Sequence, residues 1–445
     1  MKINIITENQ IVTNPRIEYV INFIQNHPLC PQDFHFSIND ISESDITIAY
    51  SQVYIPSNFW IPKNGLFIEN QLDNQTSNLF CNTYFTKNNK VYSVEIGAKT
   101  GHFHGENQFG FDILSTIFFH ISRYEEYFSD KQFHNKAGWL DENNQLLIQN
   151  DLNTFPIIDE LLVAFFEEIS NTTIKTTTTY DISHDLDILF RFKNKLSYIR
   201  SLAATIYHRR GWSEIKNIIL HFFVGNKDPY DTFDWMLSKG AKWKRKNLFL
   251  MVGGNTHLDN QYDIQHPYIQ KIISLSKNRN YEIGLHPSYN AGFDNGMYTE
   301  ELKLLSNINK QQIIHNRQHW LRFNWLTTPK IWASNYIKFD FTMGYNNHIG
   351  FRCGTGFPYQ MYDFQNEKPF EWVEVPLVFM DSSLKHHFLK RGGNMKAMAQ
   401  QFIEKNRYNT HISFNFHNSN FDELTDLGKE LKDIYWEILK LGGDE

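Results

Sequence analysis

Two aspartates separated by one residue, Asp185 and Asp187, stand out chemically in this sequence. They follow a threonine run (176–179) and Tyr180, and such β-branched and aromatic residues favour an extended backbone. Side chains alternate along a strand, so both carboxylates point to one face and His184 points to the other. Adjacent carboxylates repel each other unless a positive charge lies between them. The pattern predicts a divalent metal held by one acid, with the other left as a base; the alternative is two capping acids.

His286 lies at the end of a second predicted strand that is followed by polar residues. Residues 282–285 read as a strand that delivers His286 at its end, where Pro287 stops regular pairing. Neutral imidazole is a common zinc ligand, and Asn290 and Tyr289 nearby could add an amide oxygen or a phenol. An isolated histidine is more often simply hydrogen-bonded at a turn. Together with the acid pair, however, it favours a metal site.

A basic cluster lies at 315–322. An arginine cannot ligate a metal but can hold a carboxylate in a fixed orientation, and we expect Arg317 to hold Asp185 ionised. In the same cluster, His319 is a candidate third metal ligand. The alternative is a basic helical turn with ordinary surface ion pairs.

The last polar cluster ends a strand in which Ile412, Phe414 and Phe416 alternate with polar residues. His417 shares the polar face and could protonate a leaving group. Asp381, at the end of an earlier strand, could orient His417 by accepting its second N–H.

Aromatic and glycine-rich loops at 339–345 and 350–359 suit the faces of a sugar, although a rigid structural loop is the plainer interpretation. Their glycines match neither a phosphate-binding loop nor a dinucleotide fingerprint. We assign four side chains, three rings and one cation, to substrate binding: Tyr289, Trp320, Tyr345 and Arg352.

The chain of 445 residues is too long for one ordinary core, and 21% charged and 41% hydrophobic residues indicate a globular protein. Alternating strands and helices predict an α/β N-terminal domain over 1–175. Repeated strand–helix alternation over 176–445 predicts parallel strands in an open sheet or a barrel. Chemistry in such folds gathers at the C-terminal strand ends, where these clusters lie.

A long segment at about 189–246 interrupts the second domain. It mixes Arg191, Lys193, Lys195, Arg200, Arg209 and Arg210 with apolar residues. A docking surface for acidic glycan, carrier lipid or membrane is one interpretation. A solvated amphipathic helical hairpin is the interpretation that we favour from sequence.

The net charge of −6 argues against strong attraction to nucleic acid. Three distant cysteines suggest neither a disulfide framework nor a Cys-x-x-Cys metal site, which fits a reducing compartment. No apolar run reaches the roughly 20 residues of a spanning helix, and the N-terminus lacks the apolar core of a signal peptide. We therefore expect a cytoplasmic protein without a transmembrane segment.

In their order, the motifs resemble the NodB-type polysaccharide deacetylases of the carbohydrate esterase 4 superfamily. The order is His184-Asp185-Leu186-Asp187, then His286, Arg317 and His417, and the resemblance covers about 176–445. It implies a distorted (β/α) barrel. The N-terminal part, with the hexapeptide at 122–127, resembles the uncharacterised domain fused to such deacetylases in Bacteroidetes-like bacteria.

The resemblance also implies roles for individual residues. Asp185 corresponds to the catalytic base, Asp187 to a metal-ligating acid and His286 to the first histidine ligand. Arg317 corresponds to the arginine that orients the base, and His417 to the general acid. Zn²⁺ is the expected metal, with Co²⁺ and Ni²⁺ as alternatives.

The chain departs from the family pattern at two positions. The usual second histidine ligand is replaced by Asn290, and the proline of the arginine motif is replaced by His319. We hypothesise that the third ligand has moved from position 290 to position 319.

The predicted function is a metal-dependent deacetylase of an acetylated sugar or glycan, in surface polysaccharide synthesis. We expect a carbohydrate substrate, no nucleic acid, and peripheral association with a glycan-synthesis machinery. The main alternative is a catalytically inactive barrel that binds glycan or a partner enzyme. A third class is another hydrolase of C–N bonds on the same scaffold.

Overall fold

The protein forms two compact units in the computed structural model. The first comprises 1–178, 351–374 and 407–410, and the second comprises 179–350, 375–406 and 411–445. The residues that the structure describes are 1–8, 14–40, 42–63, 65–67, 85–87, 90–92, 109, 111–135, 139–207, 211–225, 227–259 and 262–444.

The first unit contains a four-stranded parallel sheet. Its strands lie in the order His35–Ile38, Lys2–Thr7, Ile46–Ser51 and Phe59–Pro62. Parallel sheets are covered on both faces, and the central strands are accordingly almost fully buried.

In the first unit the sequence predicts Asp112 as an N-cap and a helix that continues from it to about Phe128. Asp112 caps Ile113–Ile121 by accepting from the Ser115 amide. The predicted continuous helix from 112 to about 128 is wrong, because Arg123 adopts a left-handed conformation (φ 55°) and a new helix, Tyr124–Phe128, begins after it. The other helices are Pro15–Asn26, Leu146–Gln149 and Ile157–Ser170.

The sequence also predicts strands at 66–69 and 91–96 in the first unit, and Val91 and Tyr92 of the second do lie in a strand. The predicted strand at 66–69 is wrong where it is described, since Gly65–Phe67 is a 3-10 turn. The predicted strand at 91–96 lies outside the described residues beyond Tyr92. Antiparallel pairs join Phe85–Lys87 to Lys90–Tyr92 and Tyr362–Asp363 to Lys368–Pro369.

The second unit is built on a parallel sheet with helices between its strands, which confirms the predicted fold class of a distorted (β/α) barrel. The hydrogen-bonded order has two ends among the described residues and does not close on itself. It includes, in order, Phe339–Asp340, His315–Asn316, Glu282–Leu285, Trp243–Leu250, Thr179–Leu186, His411–His417 and Phe379–Met380.

Strand register places the polar clusters at one edge. In what we call the first barrel strand, Thr179–Leu186, Asp185 pairs with His417, at the end of the last barrel strand His411–His417. Leu250, the last residue of Trp243–Leu250, pairs with Leu285, the last residue of Glu282–Leu285. His286 follows Leu285 directly. The C-terminal strand ends therefore carry the acids and histidines together.

One predicted strand of this region is interrupted. The sequence predicts a strand over 374–380, but Val373–Glu374 and Phe379–Met380 are separate pieces. Pro376 lies between them, and a proline cannot donate a ladder hydrogen bond.

Helices surround the strands of the second unit. None of the described helices combines the length and apolarity needed to cross a bilayer. Their bounds are Lys195–Tyr207, Trp212–Val224, Phe233–Met236, Pro267–Asn278, Asn295–Asn309, Thr328–Ser334, Asp381–Arg391, Met395–Lys405 and Asp426–Leu441.

Candidate active site

An open cleft of about 380 Å³ lies at the C-terminal strand ends of the second unit. Acids and histidines from four strand ends reach into it, together with one aromatic ring, Trp320. The lining includes Asp185, Asp187, His257, Asp259, His286, His319, Trp320, Ser382, His386 and His417.

Three side chains in the cleft form a candidate metal-binding group. Asp187, His286 and His319 each offer a ligand atom, and these atoms lie within 4.8 Å of one another. Asp187 Oδ1 is 3.3 Å from His286 Nε2. A carboxylate with two imidazoles is a donor set that suits zinc and similar divalent ions.

The surroundings of these side chains fit a metal. His286 Nδ1 lies 2.6 Å from the carbonyl oxygen of Arg317, which can only accept, so Nδ1 carries a proton and Nε2 is the nitrogen placed to bind a metal in the cleft. Asp187 Oδ1 is buried and makes no hydrogen bond that meets normal geometry among the described residues. Such an oxygen is costly to bury unless something else binds it.

Asp185 is held by a buried network. Arg317 Nη1 donates to its Oδ1 at 2.8 Å, and Asn415 Nδ2 donates to its Oδ2 at 2.8 Å. Burial alone would raise the pKa of Asp185, but Arg317, His286 and His417 together outweigh it and the net pKa is lowered. The carboxylate is therefore ionised and fixed in orientation.

Arg317 is itself completely buried and its guanidinium is enclosed by hydrogen bonds and aromatic rings. Its Nε donates to the Phe341 carbonyl and its Nη2 to Ser183 Oγ, and its guanidinium lies 4.4 Å from the centre of the Phe249 ring. The alternative of a surface basic turn is thus wrong for Arg317.

His417 faces both acids from the end of the last barrel strand. Its Nε2 lies 3.7 Å from Asp185 Oδ2 and 3.7 Å from Asp187 Oδ2, while its Nδ1 lies 2.7 Å from Asp381 Oδ1. Burial would lower the pKa of His417, but Asp381 and the other two carboxylates raise it to about 10. The arrangement keeps a proton on Nε2, directed into the cleft.

The neighbour of the acid pair, His184, takes no part in the cleft. It points to the other face of the strand, where Nε2 lies 3.4 Å from the hydroxyl of Tyr281 and 3.3 Å from that of Tyr435. Burial lowers the pKa of His184 to about 3, so this imidazole is a neutral core residue.

Asn290, a predicted metal ligand, is held by neighbouring polar side chains. Its Oδ1 accepts from Arg322 Nη1 at 3.4 Å and its Nδ2 donates to Asn255. The Arg322 guanidinium also stacks on the ring of Tyr289, 3.8 Å from its centre, so this predicted substrate-binding ring is already covered on one side.

The other predicted substrate-binding residues lie in different surroundings. Trp320 is 50% exposed and lines the cleft, whereas Tyr345 is buried. Arg352 belongs to the first unit, where it is buried and bound by Glu126. A substrate-binding role for Arg352 has no support in this structure, because its guanidinium is already engaged by a carboxylate.

Sequence reasoning did not select Asn415, Ser183 or Asp259. Asn415 shares its strand face with His417, so alternation alone could have suggested it. Asp259 lies in an irregular loop, where its Oδ1 accepts from the Tyr289 amide and lies 3.8 Å from His319 Nδ1. No periodicity marks such a residue.

Comparison with protein-family models gives a match over the N-terminal part of the chain. Residues 4–174 match the model of a family of unknown function, DUF7033. No curated protein sequence matches the chain.

Two solved structures are similar to the chain at low identity. One is a candidate polysaccharide deacetylase from Mycobacterium smegmatis, with 12% identity and a TM-score of 0.33 over 59% of this chain and 85% of the other. The second is a mutant of BA3943, described as a CE4 family pseudoenzyme with restored enzymatic activity. It has 10% identity and a TM-score of 0.27, over 62% of this chain and 70% of the other.

Proposed function

We propose that the second unit is a metal-dependent deacetylase of an acetylated sugar or glycan, acting in surface polysaccharide synthesis. The observation that carries the proposal is the convergence of three elements on one cleft. These are an ionised and oriented carboxylate, a protonated imidazole, and a group of three metal-ligating side chains. Amide hydrolysis requires a base, an acid and a polarising charge, and the three elements supply them.

Asp187, His286 and His319 would hold the divalent ion, for which zinc is the expected choice. When bound, such an ion polarises the acetyl carbonyl and lowers the pKa of a water. His286 is fixed for ligation by its hydrogen bond to the Arg317 carbonyl.

Asp185 is the proposed base. Its Oδ2 accepts the proton of the attacking water as the new C–O bond forms, while Arg317 and Asn415 keep the carboxylate in place. Because this orientation exists before substrate binds, little reorganisation is needed during the reaction.

His417 is the proposed acid. Its Nε2 donates a proton to the sugar nitrogen as the C–N bond breaks, and Asp381 holds the ring by accepting from Nδ1. For an O-acetyl substrate, the same proton goes to the departing sugar oxygen.

The wall of the cleft supplies a surface for the sugar. The Trp320 ring is half-exposed. The backbone of Trp320 has a positive φ of 59° and lies in the turn that also carries His319. A non-glycine residue in that conformation is uncommon and is often associated with function. We assign Trp320 to stacking against the apolar face of a sugar ring.

The first test separates an enzyme from an inactive binding barrel. We expect purified protein to retain about one equivalent of zinc, cobalt or nickel, measured by elemental analysis. The His319→Ala variant should bind zinc at least ~100-fold more weakly, because losing a direct ligand costs more than losing an outer partner. The Asn290→Ala variant is the matched control and should retain its metal.

The second test concerns the reaction. Acetate release from N-acetylated and O-acetylated sugars and from lipid-linked glycans should require the metal and fall in the His319→Ala variant. If that variant kept metal and activity while Asn290→Ala lost both, the shifted-ligand hypothesis would fail. Protein that binds glycan but neither metal nor acetyl substrates would instead be the inactive barrel.

A further inference from the structure

The two helices inserted after the first barrel strand expose an unusual amount of apolar surface. These helices, Lys195–Tyr207 and Trp212–Val224, are called the apolar hairpin here. Trp212 is 85% exposed, Tyr207 82% and Phe223 76%. More than half of the exposed large hydrophobic side chains of the described residues belong to this hairpin. Monomeric proteins rarely leave such a patch uncovered without a reason.

The hairpin has a defined inner face, so its exposure is not a sign of loose attachment. Asn217 Nδ2 donates to the Leu424 carbonyl at 3.1 Å, and Ile218 is fully buried. Arg191, at the entry to the insert, forms an ion pair with Asp422. Thr205 and Glu214 join the two helices at 3.4 Å. The apolar outer face therefore belongs to a fixed element of the second unit.

Charge accompanies the apolar surface. From 193 to 224 there are six basic residues against one acid, Glu214, a difference of +5, whereas the whole chain carries −6. Glu214 is buried and lies 3.7 Å from Arg191, so it does not offset the exposed cations. The described basic residues of the hairpin region are exposed: Lys193, Lys195, Arg200 and Lys216.

We propose that the apolar hairpin docks on a lipid surface rich in anionic headgroups. Apolar and aromatic side chains flanked by lysine and arginine are the combination that inserts at the boundary between headgroups and acyl chains. A second copy of the chain is a poorer occupant, because a symmetric contact would bring two strongly basic hairpins face to face. Anionic lipid instead complements the charge.

The length of the two hairpin helices suits a helix pair that lies along the surface of a bilayer and does not cross it. Each helix has 13 residues and spans about 20 Å, short of the roughly 30 Å hydrocarbon core. Trp212 and Tyr207, at the turn between the helices, are residue types that favour the membrane–water boundary. The inference is independent of the proposed function, because none of the described hairpin residues lines the cleft.

Vesicle binding by the full-length protein tests the proposal. We expect co-sedimentation with phosphatidylcholine vesicles that contain about one third phosphatidylglycerol, and weaker binding to pure phosphatidylcholine or at high salt. The variant Trp212→Ser, Phe223→Ser, Val224→Ser should reduce the partition coefficient at least ~tenfold. The variant Lys195→Glu, Arg200→Glu should lose a similar factor on anionic vesicles and little on neutral ones.

A matched control replaces three apolar residues outside the hairpin whose exposure is similar to that of Trp212, Phe223 and Val224. This control is the triple variant Val53→Ser, Tyr336→Ser, Leu389→Ser. It should bind vesicles as the unchanged protein does. Circular dichroism and metal content should be the same in all variants, so that a binding loss is not a folding loss. The proposal is overturned if the unchanged protein ignores anionic vesicles, or if the control loses binding as much as the hairpin variant. Self-association that depends on the hairpin, without vesicle binding, would instead identify a second copy as the occupant.

Discussion

Each of the two units contains a buried arginine–carboxylate cluster, and the two clusters differ in what surrounds them. In the first unit, Glu126 lies between Arg123 and Arg352. In the second unit, Asp185 lies against Arg317. All of these side chains are buried, so burial and ion pairing alone do not distinguish a structural cluster from a catalytic one.

The two clusters differ in which groups donate hydrogen bonds to the carboxylate oxygens. Both oxygens of Glu126 accept from guanidinium groups, Oε1 from Arg123 and Arg352 and Oε2 from Arg352 at 2.9 Å. In Asp185, Oδ1 accepts from Arg317 and Oδ2 accepts from the neutral amide of Asn415, and Oδ2 also faces His417 across 3.7 Å at the cleft. A carboxylate with one oxygen directed to an open cleft can exchange a proton with a substrate, whereas one enclosed on both sides can only stabilise the fold.

Removing the charge of Asp185 should have the largest effect on activity. We expect Asp185→Asn to lower turnover per bound metal by about 10²–10⁴-fold, the range for loss of general base catalysis. Metal content should be retained, because Asp185 is not one of the three candidate ligands. Single-turnover acetate release on metal-loaded protein is the measurement. Unchanged turnover would remove Asp185 from the role of base.

The corresponding change in the other cluster should affect stability instead. Glu126→Gln removes the carboxylate shared by two buried guanidinium groups and leaves Glu125, 3.3 Å from Arg123, as a remaining charged partner; we expect a loss of about 3–5 kcal/mol of stability in the first unit. Hydrogen exchange in peptides covering 113–128 reports this locally, while metal content and turnover should not change. The exposed Glu168→Gln is the control and should stay within about 0.5 kcal/mol. Equal loss in both variants would argue against a special role for Glu126.

The pH dependence of the first unit should sharpen the same comparison. Burial would raise the pKa of Glu126, but Arg123 and Arg352 outweigh it and lower the pKa to about 2, below the ordinary value of 4.5. Ionised Glu126 therefore stabilises the folded first unit by about 3 kcal/mol. This contribution is complete above about pH 4.5 and is lost as the pH falls toward 2. Between pH 5 and 3, hydrogen exchange of 113–128 should therefore accelerate less steeply in the Glu126→Gln variant. The same pH dependence of exchange in the unchanged protein and in the variant would contradict the lowered pKa of Glu126.

Much of the candidate site can be predicted from sequence because its residues lie at strand ends. The alternation that marks a strand also fixes which side chains share a face, so the sequence alone predicts that Asp185, Asp187 and His417 lie together. Asp259 cannot be predicted in this way, because an irregular loop brings it to His319 without any periodic signal.

Two regions show what the sequence leaves undetermined. An arginine in an aromatic loop often faces a ligand, which favours a substrate role for Arg352, but the partner that binds it, Glu126, is 226 residues away and leaves no local mark. The amphipathic composition of the insert at 189–246 predicts a solvated hairpin. Composition does not reveal that Phe223 and Trp212 lie on the outer face, since that depends on which side packs against the second unit.

Arg317 contributes to the site through two different parts of the same residue. Its guanidinium holds Asp185, while its backbone carbonyl holds His286. The proposed base and a proposed ligand are thus both positioned by one buried residue, whose side chain is fixed by further hydrogen bonds. Replacement by lysine would keep the carbonyl that holds His286 but remove guanidinium hydrogen bonds to Asp185, Ser183 and the Phe341 carbonyl, so proton transfer should change more than metal binding.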